Sequence, residues 1–170
     1  MPESIKIGQI LIAQGVLSAQ QVFEILQAQR RDGVPFGVLA ERMFDVTVES
    51  IENAWVEQYI HFTGVLDLRQ QQVDSDVLRL INRRQAWQFE ILPLKMEPTG
   101  ELLMAASKAR LVRAVKFVAT RLSPVVYFRI VESTQLRSFL RLHYPMPEVT
   151  QEMVQRVCEL ANEQPDQSAA

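Results

Sequence analysis

The sequence predicts an α+β fold: a helical front half, then a small three-stranded sheet covered by helices, then a C-terminal helix. Apolar residues recur at helical spacing through residues 5–63, and the spacing changes to every second residue near residues 88–106 and 125–131. A hydrophobic fraction of 48% and a mean hydropathy of −0.02 are typical of soluble globular domains. We predict a helical repeat subdomain (1–64), a small α+β subdomain (65–145), and a C-terminal helix with its tail (146–170).

Residues 5–29 predict two short helices that are separated at Gly15. Glycine can take the left-handed conformation that ends a helix, and Ser18 is placed to cap the next helix. Two short helices joined by a few residues are expected to pack antiparallel and to bury their facing apolar stripes. The predicted stripes are Ile7, Ile10, Leu11 and Gln14 on the first helix, and Val22, Phe23, Ile25 and Leu26 on the second.

A weaker copy of this segment follows at a shift of 29 residues. The shift places Gly8 on Gly37 and Leu26 on Trp55. It also places Val22 on Ile51, Phe23 on Glu52 and Gln29 on Gln58, whereas Gly15 falls on Phe44 and Lys6 falls on Pro35. The copy therefore predicts a second pair of helices, in which Thr47 caps the longer one and Gly64 ends it.

The second half predicts the order helix, strand, strand, helix, strand, helix. Residues 65–73 form a connector, after which Asp74 or Ser75 caps a helix that continues through Ile81. A strand of alternating faces begins near Phe89, and a turn at residues 98–100 returns the chain as a second strand. Further predicted elements are a helix over 108–122 capped by Ser107, a strand over 125–131, a helix starting at Ser133 or Thr134, and a final helix with its stripe at Val149, Met153, Val157 and Leu160. We expect an antiparallel or mixed sheet with helices on one face.

Charge is unevenly distributed, although the formal net charge is only −2. Residues 1–66 hold four basic and eight acidic side chains, residues 107–141 hold eight basic and one acidic, and residues 145–170 hold one basic and five acidic. Such asymmetry indicates either opposite ends of the chain that attract each other or separate partners. Solvated helix faces are the alternative interpretation.

Several classes of chemistry are disfavoured by the sequence. The single Cys158 cannot form an intramolecular disulfide, and His61 and His143 are too far apart for a metal-ligand spacing. The phosphate-binding string G-x-x-x-x-G-K followed by Ser or Thr does not occur, and the six glycines are not clustered. We therefore expect no enzyme, no catalytic residue and no metal. The lack of an apolar run of 18 residues or of a signal core predicts a cytoplasmic protein without a membrane span.

At residues 5–29 and their copy, the sequence resembles a known family. The pattern of a basic residue, an apolar residue and Gly, two spacers, and an apolar helix ending in Gln is similar to the N-terminal domain of type II secretion and type IV pilus assembly ATPases. Two later segments of the chain are also similar to that domain: RRQAWQFEILPLKMEPTGELLMAAS and TQLRSFLRLHYP. The resemblance spans residues 5–145. It implies a module that docks within a secretion or pilus-type machine, or a sensor of the dinucleotide cyclic di-GMP.

The resemblance also implies residues for the cyclic di-GMP site. Such sites favour arginine because its planar fork donates two hydrogen bonds, while glycine admits the backbone and glutamine adds a directional bond. In this sequence Lys6 keeps the charge without the fork, and Pro35 and Phe44 depart from the pattern in the copy. The candidate ligand-binding residues are Lys6, Gly8, Gly15, Gln29, Gly37 and Gln58.

The helix after Ser107 is the other candidate surface because it is the most basic stretch of the chain. Its candidate partner-binding residues are Lys108, Arg110, Arg113 and Lys116. A pI near 5.7 and the lack of interleaved exposed aromatics argue against nucleic acid as the partner. We therefore predict a non-catalytic module that acts by protein–protein interaction, with the C-terminal helix as a candidate for self-association.

Overall fold

The computed structural model describes residues 5–162. Within them the chain forms eight α-helices and one sheet of three strands. In chain order the elements are α1 (Ile7–Ala13), α2 (Ala19–Asp32), α3 (Phe36–Phe44), α4 (Val48–Thr63), α5 (Arg83–Phe89), β1 (Ile91–Met96), β2 (Leu102–Ser107), α6 (Leu111–Arg121), β3 (Val126–Val131), α7 (Ser133–His143) and α8 (Gln151–Asn162). This order confirms the predicted α+β class. Residues 1–4 and 163–170, at the outer ends of the first and third predicted units, lie outside the described residues.

The four front helices share one apolar core. Helix α1 packs mainly against α4, and α2 packs mainly against α3, so the larger contacts join one predicted repeat to the other. The expectation that each pair buries its stripes chiefly within itself is therefore wrong. Four short helices bury more apolar surface in a common core than two separate pairs could bury. Leu11 and Ile25, one from each helix of the first pair, are completely buried in this core.

The repeat itself is visible as one contact that occurs twice. A Cβ added to Gly8 would lie 2.9 Å from Cγ1 of Val22, and one added to Gly37 would lie 3.1 Å from Cγ2 of Ile51. The 29-residue shift relates both members of the first contact to those of the second. In each repeat, a glycine on the first helix allows a β-branched residue of the second helix to approach closely.

The helix ends follow the predicted local chemistry. Gly15 has φ of 70°, and the amides of Gly15 and Val16 donate to the carbonyls of Ile12 and Leu11, which is the Schellman arrangement. The Ser18 side chain accepts a hydrogen bond from the Gln21 amide. In the second repeat, Asp45 ends α3 with φ of 53°, one residue after the position that matches Gly15. Aspartate tolerates the left-handed region better than most residues do, so the copy can close without glycine.

Helix α4 connects the front core to the core around the sheet. Thr47 caps it through the Ser50 amide, and Gly64 ends it with φ of 67°, as the sequence predicts. Ala54 belongs to the front core, whereas Val56 belongs to the core around the sheet. The two cores therefore meet inside α4, a few residues before residue 64. The subdomain boundary at residue 64 remains a prediction.

The segment between α4 and α5 differs from the sequence prediction. The connector runs beside β3, where the Leu66 amide donates to the Ile130 carbonyl over 2.7 Å. The helix predicted from Asp74 or Ser75 through Ile81 is wrong, because only a 3₁₀ turn over Val77–Leu80 forms and Ile81 is extended. Asn82 then starts α5 with a reciprocal capping box to Gln85, and such a box favours a fresh helix start over a continued helix.

The sheet is mixed, with strand order β1-β2-β3. Strands β1 and β2 are antiparallel, while β2 and β3 are parallel. The turn between the first two is confirmed, because Gly100 has φ of 88° and its amide donates to the Glu97 carbonyl. The predicted start of β1 near Phe89 is wrong, since α5 continues through Phe89 and Glu90 closes it in the left-handed region.

Both faces of the inner part of the sheet are covered. Four consecutive residues of β1, from Ile91 to Leu94, are buried, as are Met104 to Ser107 of β2. Successive strand residues point to opposite faces, so one covered face could not bury them all. These strands contact α5, α6 and α7, and β1 also contacts the 3₁₀ turn at Val77–Leu80. The expectation that the helices lie on one face of the sheet remains a prediction.

Of the two predicted helix starts after β2, the first needs correction and the second is confirmed. Ser107 is the buried last residue of β2, and its hydroxyl donates to Glu90 instead of capping a helix. A 3₁₀ turn over Lys108–Arg110 leads into α6. Helix α7 begins at Ser133, as predicted, but Glu132 is its cap and accepts the Gln135 amide over 2.9 Å.

Helix α8 forms as predicted but does not pack on the rest of the described chain. Every side chain described on it is exposed, including Met153, Val157 and Leu160 of the predicted stripe. Val149, the first residue of that stripe, is also exposed and lies before the helix. The hydroxyl of Thr150 accepts the Met153 amide over 3.3 Å and so caps its start.

Candidate functional site

The contact between α4 and the α6–β3 side of the sheet fixes the front helices to the second half. The Tyr59 hydroxyl donates to the Phe128 carbonyl over 2.8 Å, and Val65 forms an isolated parallel bridge with Ile130. Trp55, next to Tyr59 on the helix surface, packs against the core around the sheet. One face of α4 is therefore an internal docking surface.

Two of the predicted basic partner-binding residues belong to this contact. Lys116 pairs with Glu52 over 2.7 Å, and Lys108 pairs with Glu57. Both pairs join α6 or its leading turn to α4, and all four side chains are substantially exposed. Part of the charge asymmetry of the sequence is therefore used inside the molecule, between the acidic front half and the basic stretch after Ser107.

The other two predicted basic residues lie elsewhere on the same stretch. Arg113 is exposed, and its guanidinium lies 5.9 Å from the ring centre of Phe89. That ring stacks on Phe117 at 4.3 Å, so Arg113 covers an aromatic pair. Arg110 is half-buried and contributes to the positive surroundings of Glu90. A partner role for these four residues remains a prediction.

A buried carboxylate beneath α7 is a feature that the sequence prediction missed. Glu90 Oε2 accepts the Ser107 hydroxyl over 2.6 Å, and Glu90 Oε1 accepts Arg137 Nη2 over 2.7 Å. Burial raises the pKa of Glu90, but the hydrogen bonds from Ser107 and Arg137 outweigh it and hold that pKa below its ordinary value. The network joins α5, β2 and α7, and its partners are all satisfied, which indicates a structural role.

The predicted cyclic di-GMP residues are only partly brought together. Lys6 is exposed at the start of α1, and the Gln58 side-chain amide donates to the neighbouring Ile5 carbonyl over 2.9 Å. Gly8 is buried, and a Cβ there would also meet the Phe36 ring at 3.3 Å. The space beside this glycine is therefore filled by Val22 and Phe36.

The remaining three candidates make other contacts. Gly15 is at the opposite end of α1, where an added Cβ would meet nothing within 4 Å. Gln29 is half-buried near the end of α2, and its carbonyl accepts the Gly33 amide that closes the helix. Gly37 packs against Ile51. Their role in ligand binding remains a prediction, while their present contacts are those of helix packing and helix ends.

The α2 face is the most conspicuous exposed apolar surface of the front helices. We define it as Phe23, Leu26, Gln27 and Arg30, which follow one another at helical spacing and are all exposed. Phe23 is 55% exposed and Leu26 is 44% exposed. The sequence prediction placed both in a buried stripe and was wrong on this point, because Ile25 and Ala28 supply the buried side of α2 instead.

The internal repeat relates the α2 face to a face of α4. A shift of 29 residues places Phe23 on Glu52, Leu26 on Trp55 and Arg30 on Tyr59. On α4, Glu52 pairs with Lys116 and Trp55 packs on the core around the sheet. Tyr59 donates a hydrogen bond to the Phe128 carbonyl. The same face is therefore covered in the second repeat and open in the first. The internal copy is the sequence signal that could have identified it.

A cleft of about 480 Å³ lies where α1, α4 and α6 meet. Its lining is mixed and includes Gln14, Asn53, Val112 and the Lys108–Glu57 pair. Within residues 5–162, no three His, Cys, Asp or Glu side chains are grouped in a way that could hold a metal ion.

The second half of the chain, including the sheet and the helices that cover it, matches a known family. The MshEN domain model matches residues 61–150, from the last turn of α4 to the segment before α8. The chain belongs to the MshEN domain family. The predicted resemblance is thereby confirmed, and the predicted ligand residues, from Lys6 to Gln58, lie before the matched range.

Two proteins illustrate the similarity of this MshEN chain to solved structures. The structure of MshE with cdg is 22% identical, and the match covers 82% of this chain and 99% of that chain with a TM-score of 0.47. The N-terminal domain of XpsE was matched in two crystal forms, and each match covers 79% of this chain. The first is 17% identical, covers 91% of the XpsE chain and has a TM-score of 0.40. The second is 16% identical, covers 92% of the XpsE chain and has a TM-score of 0.43. No curated protein sequence matches. Each helix among residues 5–162 is too short or too polar to cross a membrane.

Proposed function

We propose that this MshEN chain is a non-catalytic docking module that acts by protein–protein interaction in a secretion or pilus-type machine. The observation that carries the proposal is the open α2 face, whose counterpart on α4 is already used for docking within the molecule. The family gives the kind of machine, since the resemblance is to the N-terminal domains of its ATPases. The module is proposed to work in the cytoplasm.

Phe23 and Leu26 have the chemistry expected of interface anchors. Large aromatic and aliphatic side chains supply most of the binding free energy where they enter a pocket of a partner. Arg30 lies one turn further along the same face, where it can pair with an acidic group at the rim. The proposed partner is therefore a protein that presents an apolar pocket with an acidic edge.

The proposal of a non-enzyme role is supported by the chemistry available in the chain. The 170 residues lack the phosphate-binding string of an ATPase. The buried titratable network around Glu90 is fully paired within the fold. The cleft beside Lys108 is lined by Ser133 and by Lys108 itself, whose ammonium group is already paired with Glu57.

Capture from an extract of the cells that encode the chain tests the docking role. Immobilised wild-type protein is compared with the Phe23→Ser/Leu26→Ser variant by quantitative mass spectrometry. We expect the variant to lose a component of a secretion or pilus-type machine that the wild type retains. Phe62→Ser/Leu142→Ser is the matched control, because it makes the same two substitutions at side chains at least as exposed. Equal capture by all three proteins would contradict the proposal.

The cyclic di-GMP alternative is tested separately by calorimetric titration, with GTP as the control ligand. The filled space beside Gly8 and the engaged Gln58 amide give it less support than the open α2 face gives docking. Selective binding that Lys6→Ala abolishes would make the chain a sensor. No heat at high protein concentration would leave the repeats as a scaffold.

A further inference from the structure

Helix α8 has an apolar stripe that nothing in residues 5–162 covers. Met153, Val154, Val157 and Leu160 recur at helical spacing, and each is at least half exposed. A helix of 12 residues is marginal in water unless its apolar face is packed. The spacing of Met153, Val157 and Leu160 suits insertion of one helix face into a groove.

An open apolar groove lies between α6 and β3. It has a volume of about 320 Å³, and its lining includes Val115, Val118 and Leu122 together with Val126 and Phe128. Lys116 and Arg121 are exposed and, by helical geometry, stand on opposite sides of the α6 face that lines the groove. The floor of the groove is therefore apolar. Lys116 is already paired with Glu52, so Arg121 is the rim cation that an acidic helix would meet.

Charge distinguishes between the surfaces that could cover α8. Residues 145–170 hold one basic and five acidic side chains, whereas residues 107–141 hold eight basic and one acidic. Opposite charges favour association of α8 with the rim of the groove. Pairing of α8 with another α8 would instead bring together two segments of the same sign. The same acidity disfavours an anionic lipid surface.

We propose that α8 of one copy packs into the α6–β3 groove of a second copy. In this structure α8 leaves the body after Tyr144 and does not occupy its own groove. Each copy offers its α8 and its α6–β3 groove, so two copies that exchange helices form a closed two-fold dimer. The α2 face takes no part, so this dimer is independent of the proposed docking function.

Analytical ultracentrifugation of the full chain gives the first test. We expect a monomer–dimer equilibrium that Val157→Asp/Leu160→Asp abolishes. Gln155→Asp, which adds the same charge on the opposite side of α8, should leave the dimer intact. A chain that sediments as a monomer at every concentration up to about 100 µM would overturn the proposal.

The only cysteine of the chain allows the dimer to be mapped. Cys158 is exposed on α8, so a benzophenone maleimide attached to it samples what the helix contacts. In a mixture of isotope-labelled and unlabelled chains, we expect photo-cross-links of mixed label that join α8 to residues 115–128. Cross-links confined to one chain or joining α8 to α8, or none to residues 115–128 in a sample that sediments as a dimer, would each overturn the proposal.

A charge exchange tests the basic rim. Arg121→Glu should raise the dimer dissociation constant about tenfold, and Glu152→Arg/Glu159→Arg should have a similar effect. All three changes together should return the constant to within about threefold of the wild type. If the triple variant dissociates as readily as Arg121→Glu and Glu152→Arg/Glu159→Arg do separately, α8 does not lie beside Arg121 and the proposal fails.

Discussion

Gly8 is the glycine of this chain beside which an added Cβ would have the least room. Alanine is normally the better helix former, by about 1 kcal/mol relative to glycine. At this position a Cβ would lie 2.9 Å from Val22 and 3.3 Å from Phe36, which forces the neighbouring helices apart. We expect Gly8→Ala to lower the free energy of unfolding by about 1–3 kcal/mol, measured by urea denaturation.

Two further variants check that the loss comes from this contact. Gly37→Ala should cost less, because its nearest neighbour, Ile51, lies at 3.1 Å. Val22→Ala combined with Gly8→Ala should lose less stability than the two single variants added together, because the clash is removed. A Gly8→Ala protein that is more stable than the wild type would show that the contact has been misread.

Glu90 should make the fold sensitive to acid. Its pKa is lowered in the folded state, so the charged form stabilises the fold above the unfolded pKa, and that contribution is lost as the pH falls through the folded pKa. We expect Glu90→Gln to cost about 1.5–3 kcal/mol at pH 7. The difference from the wild type should shrink below the ordinary pKa of 4.5.

Thermal melts of both proteins between pH 3 and pH 7 measure this effect, with Glu148→Gln as a control at an exposed carboxylate. A difference between wild type and Glu90→Gln that stays constant down to pH 3 would contradict the assignment of the stabilisation to the charged form.

At the scale of elements, α4 and α6 are joined by exposed ion pairs. Exposed pairs contribute little, about 0.2–1 kcal/mol each. We expect Glu52→Lys to destabilise the protein by roughly 1 kcal/mol, because it places like charges together at Lys116. Adding Lys116→Glu should restore most of the loss in the melting temperature at low salt. No restoration by the exchange would mean that the pair contributes nothing to the α4–α6 contact.

The elements also show what the sequence can predict. Gly15, Ser18, Thr47, Gly64 and the turn at residues 98–100 act through their own neighbours, so local chemistry is sufficient to place them. The helix predicted to run through Ile81 failed because the capping box at Asn82 competed with a weak apolar pattern. Ser107 does not cap a helix because its hydroxyl donates to Glu90, which the fold and not the sequence places beside it.

The candidate docking site could be predicted only in part. The spacing of Phe23 and Leu26 identified an apolar stripe, but which stripe is buried depends on how four helices share one core. The sequence places Lys116 correctly on a basic helix, while Lys108 lies in the 3₁₀ turn before it. The acidic partners of both lysines on α4 are fixed by tertiary packing, which the sequence does not show. Periodicity alone does not show that the stripe on α2 is exposed, but comparison with the matching face of α4 identifies it as a candidate docking surface.

For the whole molecule, we expect one unfolding transition for the body formed by residues 5–144. Helix α4 supplies Ala54 to the front core and Val56 to the core around the sheet, so neither core can lose α4 without exposing the other. Differential scanning calorimetry should show equal calorimetric and van't Hoff enthalpies. Two resolved transitions would indicate that residues 1–64 and 65–145 unfold independently.

The most direct test of the docking function asks what lies against Phe23 in the cell. A photo-cross-linking amino acid is placed at position 23, and at Gln88, an exposed position on α5, as a control. If the α2 face is a docking surface, position 23 should cross-link to one component of a secretion or pilus-type machine. Position 88 should not give that cross-link. If position 23 gives no adduct beyond that of position 88 while the protein is folded and abundant, the α2 face is not a docking surface.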